Sequence, residues 1–146
     1  MSLKSILLVE DNPQDEMLTL RALEKANVAN RIDVVRDGQQ ALDYLFCEGE
    51  FADRAGSGHP TVVVLDIGLP RLSGLEVLTR LRADPRTEQL PIVILTSSDD
   101  ERDRLRSYAS GANSFVRKPV DFGEFATTVA RLGVYWLATN EPPPAH

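Results

Sequence analysis

Glu10-Asp11, Asp66, Thr96 and Lys118 are the side chains of this sequence best placed to do chemistry together. The first three follow short apolar runs, residues 5–9 before the acid pair, 61–65 before Asp66 and 91–95 before Thr96, and Lys118 follows a short strand-like segment, 113–117. Carboxylates brought together repel one another unless a cation sits between them. An all-oxygen cluster with open positions suits a hard divalent ion, and Mg²⁺ fits best when phosphate oxygens complete its shell. An aspartate can attack phosphorus and form an acyl phosphate. The movable ammonium of Lys118 and the hydroxyl of Thr96 would then hold the phosphoryl oxygens. Taken alone, Asp66 reads equally well as a residue that starts a turn.

The elements around these residues decide between the two readings. Residues 61–65 are an unbroken run of β-branched and apolar residues, followed by Leu69-Pro70 and Ser73-Gly74. Such a run, bounded by turn signals, reads as a strand buried on both faces. Residues 5–9 and 91–96 read the same way, and 31–35 and 113–117 read as shorter strands. Between them lie helical patterns. Asn12-Pro13 opens the first, which fades near Asn27 to Asn30. Asp37-Gly38 opens the second, with Ala41, Leu42, Leu45 and Phe46 on one stripe. Gly74, Leu75, Leu78 and Leu81 mark the third, and Asp84-Pro85 ends it. Leu105, Tyr108, Ala109 and Ala112 mark the fourth, started by Asp99 and Asp100. The last starts near Asp121 and carries Phe122, Phe125, Ala126, Val129, Leu132 and Trp136. Residues 48–60 read as a long loop, and the proline-containing tail from 141 to 146 as disordered. A β-α order repeated five times predicts an α/β fold with a parallel sheet covered on both faces. Chemistry in such sheets collects at the carboxyl ends of the strands, where all of these side chains would stand.

Composition narrows the setting. At 146 residues the chain suits one domain, residues 1–140, with a proper core. A net charge of −6 disfavours non-specific binding to nucleic acid or to an anionic membrane. Cys47 is the only cysteine, which excludes an intramolecular disulfide and a cysteine-built metal site. No signal-peptide layout and no membrane-length apolar stretch is present, so a cytoplasmic setting is expected.

Glu10-Asp11, Asp66 with Pro70 and Gly74 beyond it, Thr96-Ser97 and Lys118-Pro119 together resemble the receiver domain of two-component response regulators. The resemblance runs over residues 4 to 138. It implies a flavodoxin-like (βα)5 fold of strand order 2-1-3-4-5. It implies that Asp66 is the phosphoacceptor for a sensor histidine kinase and that the domain signals rather than acting as an enzyme. It further implies that Glu10, Asp11, Asp66 and the backbone carbonyl of Gly68 hold Mg²⁺. Thr96 and Phe115 would be the switch pair, Lys118 would contact the phosphate, and the Lys118-Pro119 bond would be cis. An aromatic at a strand position is more often core than switch, which is the competing reading of Phe115. His59 reads as a plain loop residue and Cys47 as a small apolar side chain.

The chain departs from the family pattern at Gly68, where many relatives carry a larger side chain, so access to the phosphoryl site should be open. The long 48–60 loop and the Tyr135-Trp136-Leu137 ending resemble the stand-alone regulators of phytochrome-type histidine kinases. A metal-dependent phosphatase with an aspartyl nucleophile would need a second Asp where Gly68 stands. A flavin or nucleotide binder would need a glycine-rich first turn in place of Glu10-Asp11-Asn12-Pro13. With no second folded domain expected after residue 140, output should pass through protein contacts or phosphate relay. Val134, Tyr135 and Leu137 make the last helix apolar on more than one side, which predicts a two-fold homodimer through it and the neighbouring strand.

Overall fold

The structure, a computed structural model, describes residues 4–27, 29 and 31–144. Five strands form one parallel sheet: β1 (Ser5–Val9), β2 (Arg31–Val35), β3 (Val62–Leu65), β4 (Ile92–Thr96) and β5 (Ser114–Arg117), in spatial order β2-β1-β3-β4-β5. The helices between and after them are α1 (Pro13–Ala26), α2 (Gly38–Phe46), α3 (Gly74–Ala83), α4 (Glu101–Ala109) and α5 (Phe122–Val134). This is the expected doubly wound architecture. No helix among the described residues is long and apolar enough to cross a membrane.

Alternation along the strands sorts the core into two layers. Leu7, Val9, Val63, Leu65, Ile92 and Ile94 face α2 and α3, meeting Ala41, Leu42, Leu45, Val77, Leu78 and Leu81. Ile6, Leu8, Val62, Val64, Val93 and Leu95 face α1 and α5, meeting Ala22, Leu23, Phe125, Val129 and Leu132. Burial on both faces explains why β1, β3 and β4 read as unbroken apolar runs.

Side-chain caps fix where the helices begin. Asn12 accepts from the amides of Gln14 and Asp15 at 3.0 and 3.1 Å, and Pro13 occupies the first helical position of α1. Asp37, Ser73, Asp100 and Asp121 cap α2 to α5 in the same way. Gly74 is required by space. A Cβ there would lie 2.1 Å from the carbonyl oxygen of Asp66, so α3 begins directly against the backbone of that residue.

Three expectations are corrected. Residues 48–60 are not a plain loop, because Gly49–Arg54 forms a 3₁₀ helix. Phe51 meets the Tyr44 ring edge-on at 5.4 Å, and the Arg54 guanidinium lies 3.5 Å from that ring's centroid. Tyr44 in turn donates to Asp33 Oδ2 at 2.6 Å. The loop is thus anchored to α2 and β2 by contacts that no local pattern announces.

The fourth helix does not bury its stripe: Leu105 is 72% and Tyr108 51% exposed. In the last helix Phe122 is exposed, whereas Leu137 is only 3% exposed and sits in the core beside Leu132. The cause is a π-helical turn over Tyr135–Thr139. It widens the spacing so that Leu132 and Leu137, five residues apart, share one face. A uniform 3.6-residue period put Leu137 outside. Val134 and Tyr135 are exposed as expected.

Gly74→Ala is expected to lower stability by about 1–3 kcal/mol, because a methyl group must displace backbone. Gly68→Ala should leave stability within about 0.5 kcal/mol, since a Cβ at Gly68 meets nothing within 4 Å. Urea unfolding of the two variants checks the contrast.

Candidate functional site

The hydrogen-bond ladder runs past the strand ends and sets the acids side by side. Glu10 N donates to Val35 O at 3.0 Å and Asp66 N to Val9 O at 3.2 Å. Val9 and Leu65 are paired in register, so Glu10 and Asp66 leave adjacent strands at the same level. Across the sheet, Lys118 N donates to Thr96 O at 2.7 Å.

The Lys118 ammonium is the centre of the site. Its Nζ donates to Glu10 Oε1 at 2.6 Å, to Asp15 Oδ2 at 2.9 Å and to Asp66 Oδ2 at 3.1 Å. The side chains of Lys118 and Glu10 are only 6% and 2% exposed. Burial alone pulls the Lys118 pKa down, but the bonds and charges of Glu10, Asp66 and Asp15 outweigh it and hold the pKa above its ordinary value. The lysine therefore stays charged at neutral pH. Glu10 is shifted upward, chiefly by burial and further by the like charge of Asp66, with Lys118 and the amide of Asn12 opposing. A buried acid with a raised pKa beside other acids is a place that accepts added positive charge.

The donor set fits a hard cation. Glu10, Asp11 and Asp66 each bring a carboxylate oxygen within 4.8 Å of the others. Asp11 is exposed, and Gly68 joins Asp11, Asp66, Thr96, Ser97 and Lys118 around a cavity of about 400 Å³. The amide of Gly68 donates to Asp66 Oδ1 at 3.3 Å, which orients that carboxylate. Thr96 is buried and its Oγ1 accepts from Ser98 N at 3.3 Å, tying the hydroxyl to the turn before α4.

Phe115 stands apart from these residues. It is half-buried, packs against the core layer under α2 and α3, and borders a second cavity of about 410 Å³ with Ser98, Arg104 and Arg117. Its amide donates to Tyr108 Oη at 3.2 Å, joining β5 to α4.

The Lys118-Pro119 bond is trans, as are the other described peptide bonds, which corrects the expected cis form. Trans is the intrinsically favoured isomer by about 0.5–1 kcal/mol, and a Lys-Pro pair carries no local signal that selects the other. Two acids at the cavity were missed in the sequence. Asp15 and Asp103 both line it, and Asp103 Oδ2 accepts from Ser98 Oγ at 2.6 Å. Once Asn12 is taken as the cap, Asp15 is the third residue of α1, in the turn directly above Glu10. That spacing was the available signal.

An acidic, cation-ready rim stands at the carboxyl ends of a 2-1-3-4-5 sheet, with a buried lysine beside an aspartate, the layout of a receiver-type signalling domain. The chain belongs to the response regulator receiver domain family, whose model matches residues 6–130. It is 32% identical to response regulator Rcp1 of Synechocystis sp. over 142 residues, covering 97% of this chain and 95% of that protein. The phosphorylated cyanobacterial phytochrome response regulator RcpA superposes with a TM-score of 0.90 at 34% identity, covering 98% of this chain and all of the other. The bacteriophytochrome response regulator AtBRR is 50% identical, with a TM-score of 0.76, over 97% of this chain and 100% of that one.

Removing Lys118 strands a buried carboxylate. Lys118→Met is expected to lower stability by about 3–5 kcal/mol near neutral pH. Without the lysine, burial and the charge of Asp66 raise the Glu10 pKa against the Asn12 amide alone, so the folded state holds a proton that the unfolded chain has released. Stability of the variant then falls as pH rises from the unfolded value, about 4.3, towards the higher folded value. Its deficit relative to wild type should shrink at acid pH. Urea midpoints measured across that range check the sign.

Proposed function

We propose that the domain accepts a phosphoryl group on Asp66 from a sensor histidine kinase in a Mg²⁺-dependent reaction. The observation that carries this reading is the 3.1 Å contact between Lys118 Nζ and Asp66 Oδ2 beside the Glu10-Asp11-Asp66 cluster. An Asp66 oxygen attacks phosphorus in line. The phosphorus–nitrogen bond of the phosphohistidine breaks, and its electron pair leaves with the imidazole. Gly68 N–H holds the Asp66 carboxylate in place, while Lys118 and Thr96 donate to phosphoryl oxygens. Glu10, Asp11, Asp66 and the Gly68 carbonyl would hold the divalent ion, which when bound neutralises charge on the phosphoryl oxygens. Support for such an ion comes from the relative Rcp1, which has a Mn²⁺-bound form of TM-score 0.89.

Phosphorylation would act as a population shift. Thr96 turns from Ser98 towards the phosphoryl group, and the Phe115 ring repacks beside its neighbouring cavity. The Tyr108–Phe115 bond links that motion to α4. Output then passes through protein contacts rather than DNA, in keeping with the net charge of −6. A phytochrome-type kinase in the cytoplasm is the partner that the phytochrome response regulators among the relatives suggest.

Incubation with Mg²⁺ and acetyl phosphate should add one phosphoryl mass to wild type. It should add none to Asp66→Asn, and none to wild type in excess EDTA. Phosphorylation of the Asn variant at the wild-type rate would remove the assignment.

The homodimer remains part of this reading, now through Val134 and Tyr135, which are 42% and 49% exposed, and not through Leu137. Val134→Glu or Tyr135→Glu should reduce the sedimentation mass to that of one chain. A mass unchanged by either substitution contradicts the dimer.

A further inference from the structure

Asp15 has no part in the chemistry described so far, yet it holds one of the three N–H groups of Lys118. Glu10 at 2.6 Å, Asp15 at 2.9 Å and Asp66 at 3.1 Å occupy all three. A phosphoryl oxygen arriving at Asp66 can receive a bond from Lys118 only if one carboxylate gives its bond up. Asp66 is the acceptor itself. Glu10 is 2% exposed, and losing the lysine would leave its Oε1 buried without a partner, only Oε2 keeping the Asn12 amide. Asp15 is 27% exposed and stands outside the Glu10-Asp11-Asp66 cluster, so water can replace the lysine there.

We propose that Asp15 is a positioning residue that holds Lys118 back from the phosphoryl site and thereby slows phosphorylation of Asp66. The proposal rests on Asp66 being the phosphoacceptor. In the reaction with acetyl phosphate, an Asp66 oxygen bonds to phosphorus, the phosphorus–oxygen bond to acetate breaks, and acetate leaves with the electron pair. No proton changes hands. One Lys118 N–H moves from Asp15 Oδ2 to a phosphoryl oxygen. The negative charge of Asp15 also opposes the approach of an anionic donor, so both effects have the same sign.

The neighbouring acid supplies the control. Glu16 lies in the same turn of α1, but its partner is Arg36, at 3.0 Å, and not Lys118. A general effect of acids on the helix terminus would appear equally in both.

The experiment follows phosphorylation by intact mass, with Mg²⁺ and acetyl phosphate, in wild type, Asp15→Asn, Asp15→Glu, Glu16→Gln and Asp66→Asn. Asp15→Asn should react roughly three- to fivefold faster than wild type, the scale of a partly exposed ion pair. Glu16→Gln should stay within about twofold, and Asp15→Glu should return towards the wild-type rate. An Asp15→Asn rate equal to that of Glu16→Gln, or below wild type, overturns the proposal. Phosphorylation of Asp66→Asn would instead overturn the phosphoacceptor reading beneath it. Should Asp15→Asn not fold, wild type still decides. Addition of beryllofluoride, a phosphoryl mimic, should shift the Asp15 side-chain carboxyl ¹³C resonance as Lys118 leaves, and an unmoved resonance counts against the exchange.

Discussion

The site depends on one buried ammonium shared among acids delivered by separate pieces of backbone. Lys118 extends from the end of β5, Glu10 and Asp66 rise from β1 and β3, and Asp15 hangs from the first turn of α1. With Asp11 also present, four carboxylates face one positive charge. Such an arrangement is tolerable only because the strands below are rigid and the lysine is fully hydrogen-bonded. The excess negative charge disfavours a bare phosphate and favours a divalent ion.

Much of this was legible in the sequence, because the informative residues sit at strand ends. An apolar run fixes its own direction and end, and a parallel sheet fixes where all such ends meet. Glu10, Asp66 and Lys118 could therefore be placed together without knowing any contact between them. Residues whose position depends on helix phase were harder. Asp15 comes into reach only once the Asn12 cap sets where α1 starts. Leu137 enters the core only through the π-helical turn at Tyr135–Thr139. The 3₁₀ helix at Gly49–Arg54 is held by Tyr44, a residue on another element, and no local pattern encodes that contact. The isomer of Lys118-Pro119 was likewise carried over from the family and not from these residues.

The same contrast separates what stays from what can move. β3 and β4 are buried throughout and β1 everywhere but Ser5, so Asp66 and its neighbours stand on the best-packed strands of the molecule. α4 buries little beyond Ser107 and exposes Leu105 and Tyr108. An element with so few core contacts opens or shifts at small energetic cost. It is joined to the site by Thr96 through Ser98, and to β5 by the Tyr108–Phe115 bond. The packing thus sets tightly held strands under the acidic rim and a loosely held helix beside it.

The most direct measurement locates the phosphoryl group chemically. After reaction with acetyl phosphate and Mg²⁺, borohydride reduces an aspartyl phosphate to homoserine, which peptide mass spectrometry can place in the chain. Homoserine is expected at position 66 alone. Reduction at Glu10, Asp11 or Asp15 instead, or a stable phosphate that borohydride leaves intact, would contradict it.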